Sequence, residues 1–182
     1  MIVILKDNST IDVNIRNANL HDIEGLLALN KKWQRADLKD TRDGYVGAKF
    51  SNLTFKELIE KRQVSCALWG NELIGYYLLN NVSKDGIIGT HHEIVDMLKD
   101  TGKIDRELNI CVGAQAVVDT YYMGSGIRQL MLDNLKQNMS DRYHCLFATI
   151  AKDNPRAFTA HTRDGWIVVG SDNNVYHVLL KL

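Results

Sequence analysis

The segment from Glu107 to Ala151 constrains the fold of this chain more than any other. It runs as a strand candidate, "ELNICVGAQAVVD", a Gly-Ser-Gly, a helix candidate from Ile127, and a second strand candidate, "HCLFATIA". Ile127, Leu130, Met131 and Leu135 fall at i, i+3, i+4 and i+8, one face of an α-helix. Strand, helix and strand in that order form a βαβ unit. Its strands lie parallel, because the helix carries the chain back to the end from which the first strand set out.

Around this unit the signals are those of hairpins. "MIVILKDNSTIDVNIRNA" reads as two short strands around the polar turn Asp7–Thr10. "QVSCALW" and "ELIGYYLL" flank Gly70-Asn71, a favoured two-residue turn, and "WIVVG" and "VYHVLLKL" flank "SDNN". Asn19 is a helix N-cap ahead of Ile23, Leu26, Leu27 and Trp33. Capping boxes at Thr54–Glu57 and Thr90–Glu93 predict helices over "FKELIEKR" and "HHEIVDMLKD", the latter ending near Gly102. Asn154-Pro155 opens a further helix that stops at Gly165. Residues 36–51 read mainly as loop. The expected architecture is one α/β domain over 1–182: a mixed, mostly antiparallel sheet with one parallel pair and helices on both faces. Residues 81–106 form an insertion carrying a short helix.

Composition narrows the function classes. The 182 residues are 45% hydrophobic and 24% charged, with a formal net charge of zero. Nucleic-acid binding draws most of its affinity from basic excess, so nucleic acid is not an expected partner. No run is long enough to span a membrane, and "MIVIL" is too short for a signal-peptide core, so a cytoplasmic location is expected. Cys66, Cys111 and Cys145 stand far apart in apolar runs and read as small core residues rather than zinc ligands. His91, His92 and Glu93 do not make HExxH, since Asp96 holds the second histidine position; they read as the start of a helix. No metal site is expected.

The glycines at the strand–helix junction carry chemistry. A helix start leaves backbone N–H groups without partners and bears partial positive charge, and phosphate oxygens can occupy that position. Glycine lets the backbone approach closely. Gly124-Ser125-Gly126 is therefore either a pyrophosphate cradle or a plain turn. There is no GxxxxGK[ST], Ser125 lacks the spacing of a nucleophile elbow, and Gln129 breaks GxGxxG.

From "AVVDTYYMGSGIRQLML" through "NPRAFTAHTRDGW" the chain resembles the GNAT superfamily of N-acyltransferases, which use acetyl-CoA. The similar order of elements extends from Asp12 to Leu182, while the sharp motif match covers Val117 to Trp166. The family's loop is [Gln/Arg]-x-x-Gly-x-[Gly/Ala], and placing Ile127 and Met131-Leu132 on its apolar positions puts Gly126 on the central glycine. Met123 then replaces Gln or Arg, and Arg128 replaces Gly or Ala. The Arg128 side chain must point away from the cofactor or reach a phosphate itself. The resemblance implies that Met123, Gly124, Ser125, Gly126, Ile127 and Arg128 wrap the CoA pyrophosphate. It further implies that backbone at Val117 and Val118 pairs with pantetheine where the parallel strands splay, and that Asn154 and Phe158 contact CoA.

His161 stands where many members of the family carry a tyrosine that protonates the departing thiolate. Imidazole can do the same, although a packed histidine is an equal alternative. Asp119 is the candidate general base, or the cap of a turn. One residue each of Tyr76-Tyr77 and Tyr121-Tyr122 is a candidate for the acceptor pocket. The resemblance implies an N-acetyltransferase with acetyl-CoA as co-substrate and a small-molecule or amino-acid-like amine as acceptor. The insertion at 81–106 would cover the acceptor site or build a homodimer contact. The alternative is a domain that binds acyl-CoA without turnover.

Overall fold

The computed structural model describes residues 1–39, 41, 44–82 and 91–182. The strands are β1 (Ile2–Ile4), β2 (Thr10–Asn17), β3 (Val64–Trp69), β4 (Glu72–Asn81), β5 (Ile110–Val118), β6 (Cys145–Ala151), β7 (Ile167–Ser171) and β8 (Val175–Lys181). The helices are α1 (Ile23–Lys32), α2 (Asn52–Glu60), α3 (His91–Asp100), α4 (Ile127–Met139) and α5 (Pro155–Arg163). The strands follow the order β1-β2-β3-β4-β5-β6-β8-β7 in an eight-stranded sheet. The βαβ expectation holds: β5 and β6 pair in parallel, Ile110 with Cys145 through Val112 with Phe147. The β1–β2, β2–β3, β3–β4, β6–β8 and β7–β8 pairs are antiparallel.

The chain forms two compact units. The first comprises Met1–Leu38, Val46–Leu79 and Gln115–Asn138. Its β1–β2 turn is closed by Asp7, whose Oδ1 accepts from the Ser9 amide and hydroxyl, with Asn8 at φ +64°. Asn19 is an N-cap, but of the 3-10 turn Leu20–Asp22 that leads into α1, its side chain accepting from His21 N while Asp22 accepts from Asn19 N. The cap of α2 differs from the Thr54–Glu57 expectation. Ser51 accepts from the Thr54 amide at 3.1 Å, so the helix begins three residues earlier, and Glu57 pairs with Lys61 instead. Starting at Asn52 gives the helix an extra turn ahead of Phe55, Leu58 and Ile59, which sit at i, i+3 and i+4 on its buried face.

Neighbouring strand residues point to opposite faces, and β4 uses both. Tyr76 reaches Asn30 of α1, whereas Tyr77 lies under Arg128 of α4. Within this unit, therefore, α1 and α4 cover opposite faces of β4. Both tyrosines are fully buried, which removes them as pocket-lining residues; of the second pair Tyr122 is buried and Tyr121 exposed.

The second unit comprises Lys39–Tyr45, Asn80–Ala114 and Met139–Leu182. Its core gathers Val95 and Leu98 of α3, Ile104, Ile110 of β5, Cys145 and Phe147 of β6, and Leu179 of β8. Helix α3 forms where "HHEIVDMLKD" predicts it and ends at Asp100, two residues before Gly102 at φ +69°. The Thr90 cap lies outside the described residues. The "SDNN" turn is held by Asp172, whose Oδ1 accepts from the Asn174 and Val175 amides. Strand β7 starts at Ile167; Trp166 instead packs inside, 2% exposed. All three cysteines are buried and free, and burial pushes the Cys66 and Cys111 thiols up to about 12. They are core residues, as their runs predict.

Candidate functional site

In the first unit the site begins where β5 ends. Val117 is buried and Val118 half-buried, and strand β4 comes so close that a Cβ on Gly75 would lie 2.9 Å from the Val117 carbonyl. Asp119 closes the strand by donating its amide to Ile74 O at 2.8 Å. Its carboxylate caps the short 3-10 turn Thr120–Tyr122 through the Thr120 amide and forms an ion pair with Lys32 at 2.6 Å. The sequence left base and cap open; the contacts in hand are those of a cap and an ion pair.

After Met123 the chain needs two left-handed residues, Gly124 at φ +84° and Gly126 at φ +86°. A side chain is strained in that region, which explains the glycine pair. Gly126 accepts the first bond of α4, from Leu130 N at 3.2 Å. It thus occupies the N-cap without a side chain to cap. The Ser125 hydroxyl turns back to donate to Tyr122 O at 2.6 Å. Elsewhere a side chain fills this role: Ser51 on α2 and Asn154 on α5. The first-turn N–H groups of α4 have no acceptor inside the helix, and the space beside Gly126 is open, with nothing within 4 Å of a built Cβ. An anion fits this opening by charge and by room.

Arg128 does not face that opening. Its guanidinium lies 5.4 Å from the centre of the Tyr77 ring, a cation–π contact within the unit. Of the two orientations the sequence allowed, the structure has the one directed away from the loop. Ile127, 1% exposed, anchors the helix start in the core.

A buried polar network lies two residues before Val117, and sequence reasoning missed it. Gln115 accepts from Tyr76 Oη at 2.8 Å and from Asn30 Nδ2 at 2.9 Å, and donates to Ala48 O at 2.6 Å. Asn30 Oδ1 in turn accepts from Gln34 Nε2 and from the Phe50 amide. The available signal was a glutamine inside the apolar run "ICVGAQAVV".

In the second unit Asn154 caps α5, its Oδ1 accepting from Ala157 N at 3.2 Å. Its Nδ2 donates to Tyr45 O at 3.3 Å, and the residue is 5% exposed. Both ends of the amide are thus engaged by protein. Phe158 is half-buried against the Tyr176 ring, with centroids 4.5 Å apart. His161 Nδ1 lies 2.7 Å from Ala157 O and its ring meets Trp166 edge-on at 5.1 Å. A carbonyl only accepts, so Nδ1 carries the proton and the neutral ring presents a lone pair at Nε2. Proton donation from Nε2 requires the cationic ring. Trp166 fills the place of a side chain at Gly113, where a Cβ would lie 2.8 Å from Cη2. Among the described residues no group of three or more His, Cys, Asp or Glu side chains could hold a metal, and no helix is long and apolar enough to cross a membrane.

No family model matches the chain, and no curated protein matches it. Solved structures do. The chain is similar to a PaiA N-acetyltransferase from Thermoplasma acidophilum in complex with coenzyme A, at TM-score 0.65 and 15% identity over 94% of this chain and 100% of that one. A GNAT-family acetyltransferase from Listeria monocytogenes matches with TM-score 0.64 and 14% identity over 100% of both chains. The chain has the GNAT fold. Naa50 of Arabidopsis thaliana, in complex with the bisubstrate analogue CoA-Ac-MVNAL, shares it with TM-score 0.60 and 11% identity over 94% of this chain and 100% of that one. To that fold belongs the parallel β5–β6 pair in a mostly antiparallel sheet. The fold assigns no activity by itself.

Proposed function

We propose that this chain, as one catalytic domain over 1–182, is an N-acetyltransferase. It moves an acetyl group from acetyl-CoA to the primary amine of a small-molecule or amino-acid-like acceptor by direct transfer. The observation that carries this reading is the start of α4: a GNAT-fold helix whose N-cap is Gly126, reached through two left-handed glycines and with open space beside Gly126. Two of the similar structures hold coenzyme A or an analogue of it.

Acetyl-CoA supplies an activated thioester. Gly124, Ser125, Gly126, Ile127 and Arg128 offer backbone N–H groups to its pyrophosphate, so Arg128 takes part through its backbone rather than its side chain. Backbone at Val117 and Val118 orients the pantetheine arm, and an N–H there polarises the thioester carbonyl. His161, once cationic, gives a proton from Nε2 to the sulfur leaving group, with Nδ1 steadied by Ala157 O. Asp119 remains the proposed base, and Asp119→Asn tests it: a cap and ion-pair role lowers stability, while a base role lowers turnover at unchanged stability. Helix α3 packs Val95 and Leu98 into its own unit and exposes Met97, a side of the insertion that an acceptor or a second copy would meet.

The test is thermal unfolding with acetyl-CoA, CoA and ATP. A ligand at about 100 times its Kd adds roughly 2.7 kcal/mol to the folded state, a shift of several degrees. A shift with acetyl-CoA and CoA but not ATP is expected; no shift at millimolar ligand would overturn the reading. The second reading, acyl-CoA binding without turnover, is favoured by the Lys32 ion pair on Asp119 and by the bonds that each end of the Asn154 amide already makes to protein. Release of free CoA with any amine decides against it.

A further inference from the structure

We infer that Lys6, on the β1–β2 turn, supplies the cation for the pyrophosphate held at Gly124–Arg128, an inference that rests on the acetyl-CoA reading above. A pyrophosphate brings negative charge that a helix N-terminus, worth about half a positive charge, only partly offsets. The loop's own side chains do not supply the rest. Met123 is uncharged, Arg128 is drawn to the Tyr77 ring, and the nearby Lys32 is paired with Asp119 at 2.6 Å.

Lys6 is placed to do so. Its Cε lies 3.1 Å from the position a Cβ on Gly124 would occupy, and the ammonium is one bond further on. The glycine is needed for φ +84°, and the end of the lysine stem lies beside the place its Cβ would take. Lys6 is exposed and has no ion pair among the described residues. The turn that carries it is fastened to the same loop. Tyr121 Oη donates to Asp7 Oδ2 at 3.0 Å, and Tyr121 packs edge-on against Tyr122 at 5.1 Å, which in turn meets Trp69. The Asp7 carboxylate, next to Lys6 in the chain, is a like charge beside the proposed anion. Its oxygens are taken by Ser9 and Tyr121, so it acts as the fastener.

The test is titration calorimetry of the full chain with CoA and with dephospho-CoA, which lacks the 3′-phosphate. At low salt, Lys6→Ala and Lys6→Gln should raise Kd for both ligands roughly five- to ten-fold, while Lys6→Arg stays within about two-fold. The difference should shrink at about 0.5 M salt, where the Debye length is only a few ångströms. Tyr121→Phe, which changes no charge, should weaken binding about two-fold in the parent and add nothing in the Lys6→Ala background, because both act through one group. Unchanged Kd in Lys6→Ala would overturn the inference alone. A loss confined to CoA would move Lys6 to the 3′-phosphate and overturn the pyrophosphate assignment. Failure of the parent chain to bind either ligand would overturn the acetyl-CoA reading together with the inference.

Discussion

Gly126 and Gly113 are both irreplaceable, for different reasons, and substitution separates them. Gly126→Ala forces a Cβ into the left-handed region at a cost of about 1 kcal/mol, yet meets no protein atom within 4 Å. Its main effect should be on CoA, with affinity falling roughly ten-fold or more as the Cβ takes up room at the helix start. Gly113→Ala leaves backbone torsion unstrained but collides with Trp166 at 2.8 Å, and overpacking should cost about 1–3 kcal/mol in denaturant titrations. His161→Ala should lower kcat about a hundred-fold and change KM for acetyl-CoA by less than about two-fold. With Nδ1 committed to Ala157 O, only the doubly protonated ring donates from Nε2, so parental kcat should fall as pH rises while the variant's profile stays flat. A packing role alone would lower stability and leave that profile unchanged. At this scale the sequence located glycines, caps and candidate acids well, because each depends on local torsions. It could not tell that Arg128 turns to Tyr77 or that Asn154 Nδ2 is taken by Tyr45, since those partners lie 51 and 109 residues away in sequence.

Elements are joined here by polar contacts as well as apolar ones. The Asn30–Gln115–Tyr76 network ties α1, β4 and β5 to the chain at Ala48 and Phe50. Each member is buried, so truncating one strands the others' donors and acceptors away from water. Gln115→Leu should therefore destabilise by about 2–4 kcal/mol. If the network also holds β5 in register for the cofactor, CoA affinity should fall along with the unfolding midpoint; a loss of stability alone would limit it to the core. Element types and order followed from periodicity and turn residues. Their ends did not all follow: α2 is capped by Ser51 rather than Thr54, because two residues three positions apart can both cap.

Over the whole molecule, acid stability is set by carboxylates held below their ordinary value. Burial would raise Asp22, but hydrogen bonds from Arg16 Nη1 and Nη2, the Asn19 amide and the Arg16 charge outweigh it, so the group ends below 3.8. Asp7 is lowered chiefly by Ser9, and Asp172 by the Asn174 and Val175 amides. Groups lowered on folding contribute stability above their unfolded value and lose it as pH falls through the folded one. Unfolding free energy should therefore decline below about pH 4, and Asp22→Asn should flatten part of that slope in urea titrations at stepped pH. By itself the sequence determined the order of strands and helices, the parallel β5–β6 pair and the glycine-bearing helix start, because these rest on side-chain period and local backbone torsion. The tertiary structure alone decided which groups face that start. It turned Arg128 onto Tyr77, set Asp119 against Lys32 and brought Lys6 to Gly124, since each depends on residues far apart in the chain being packed together.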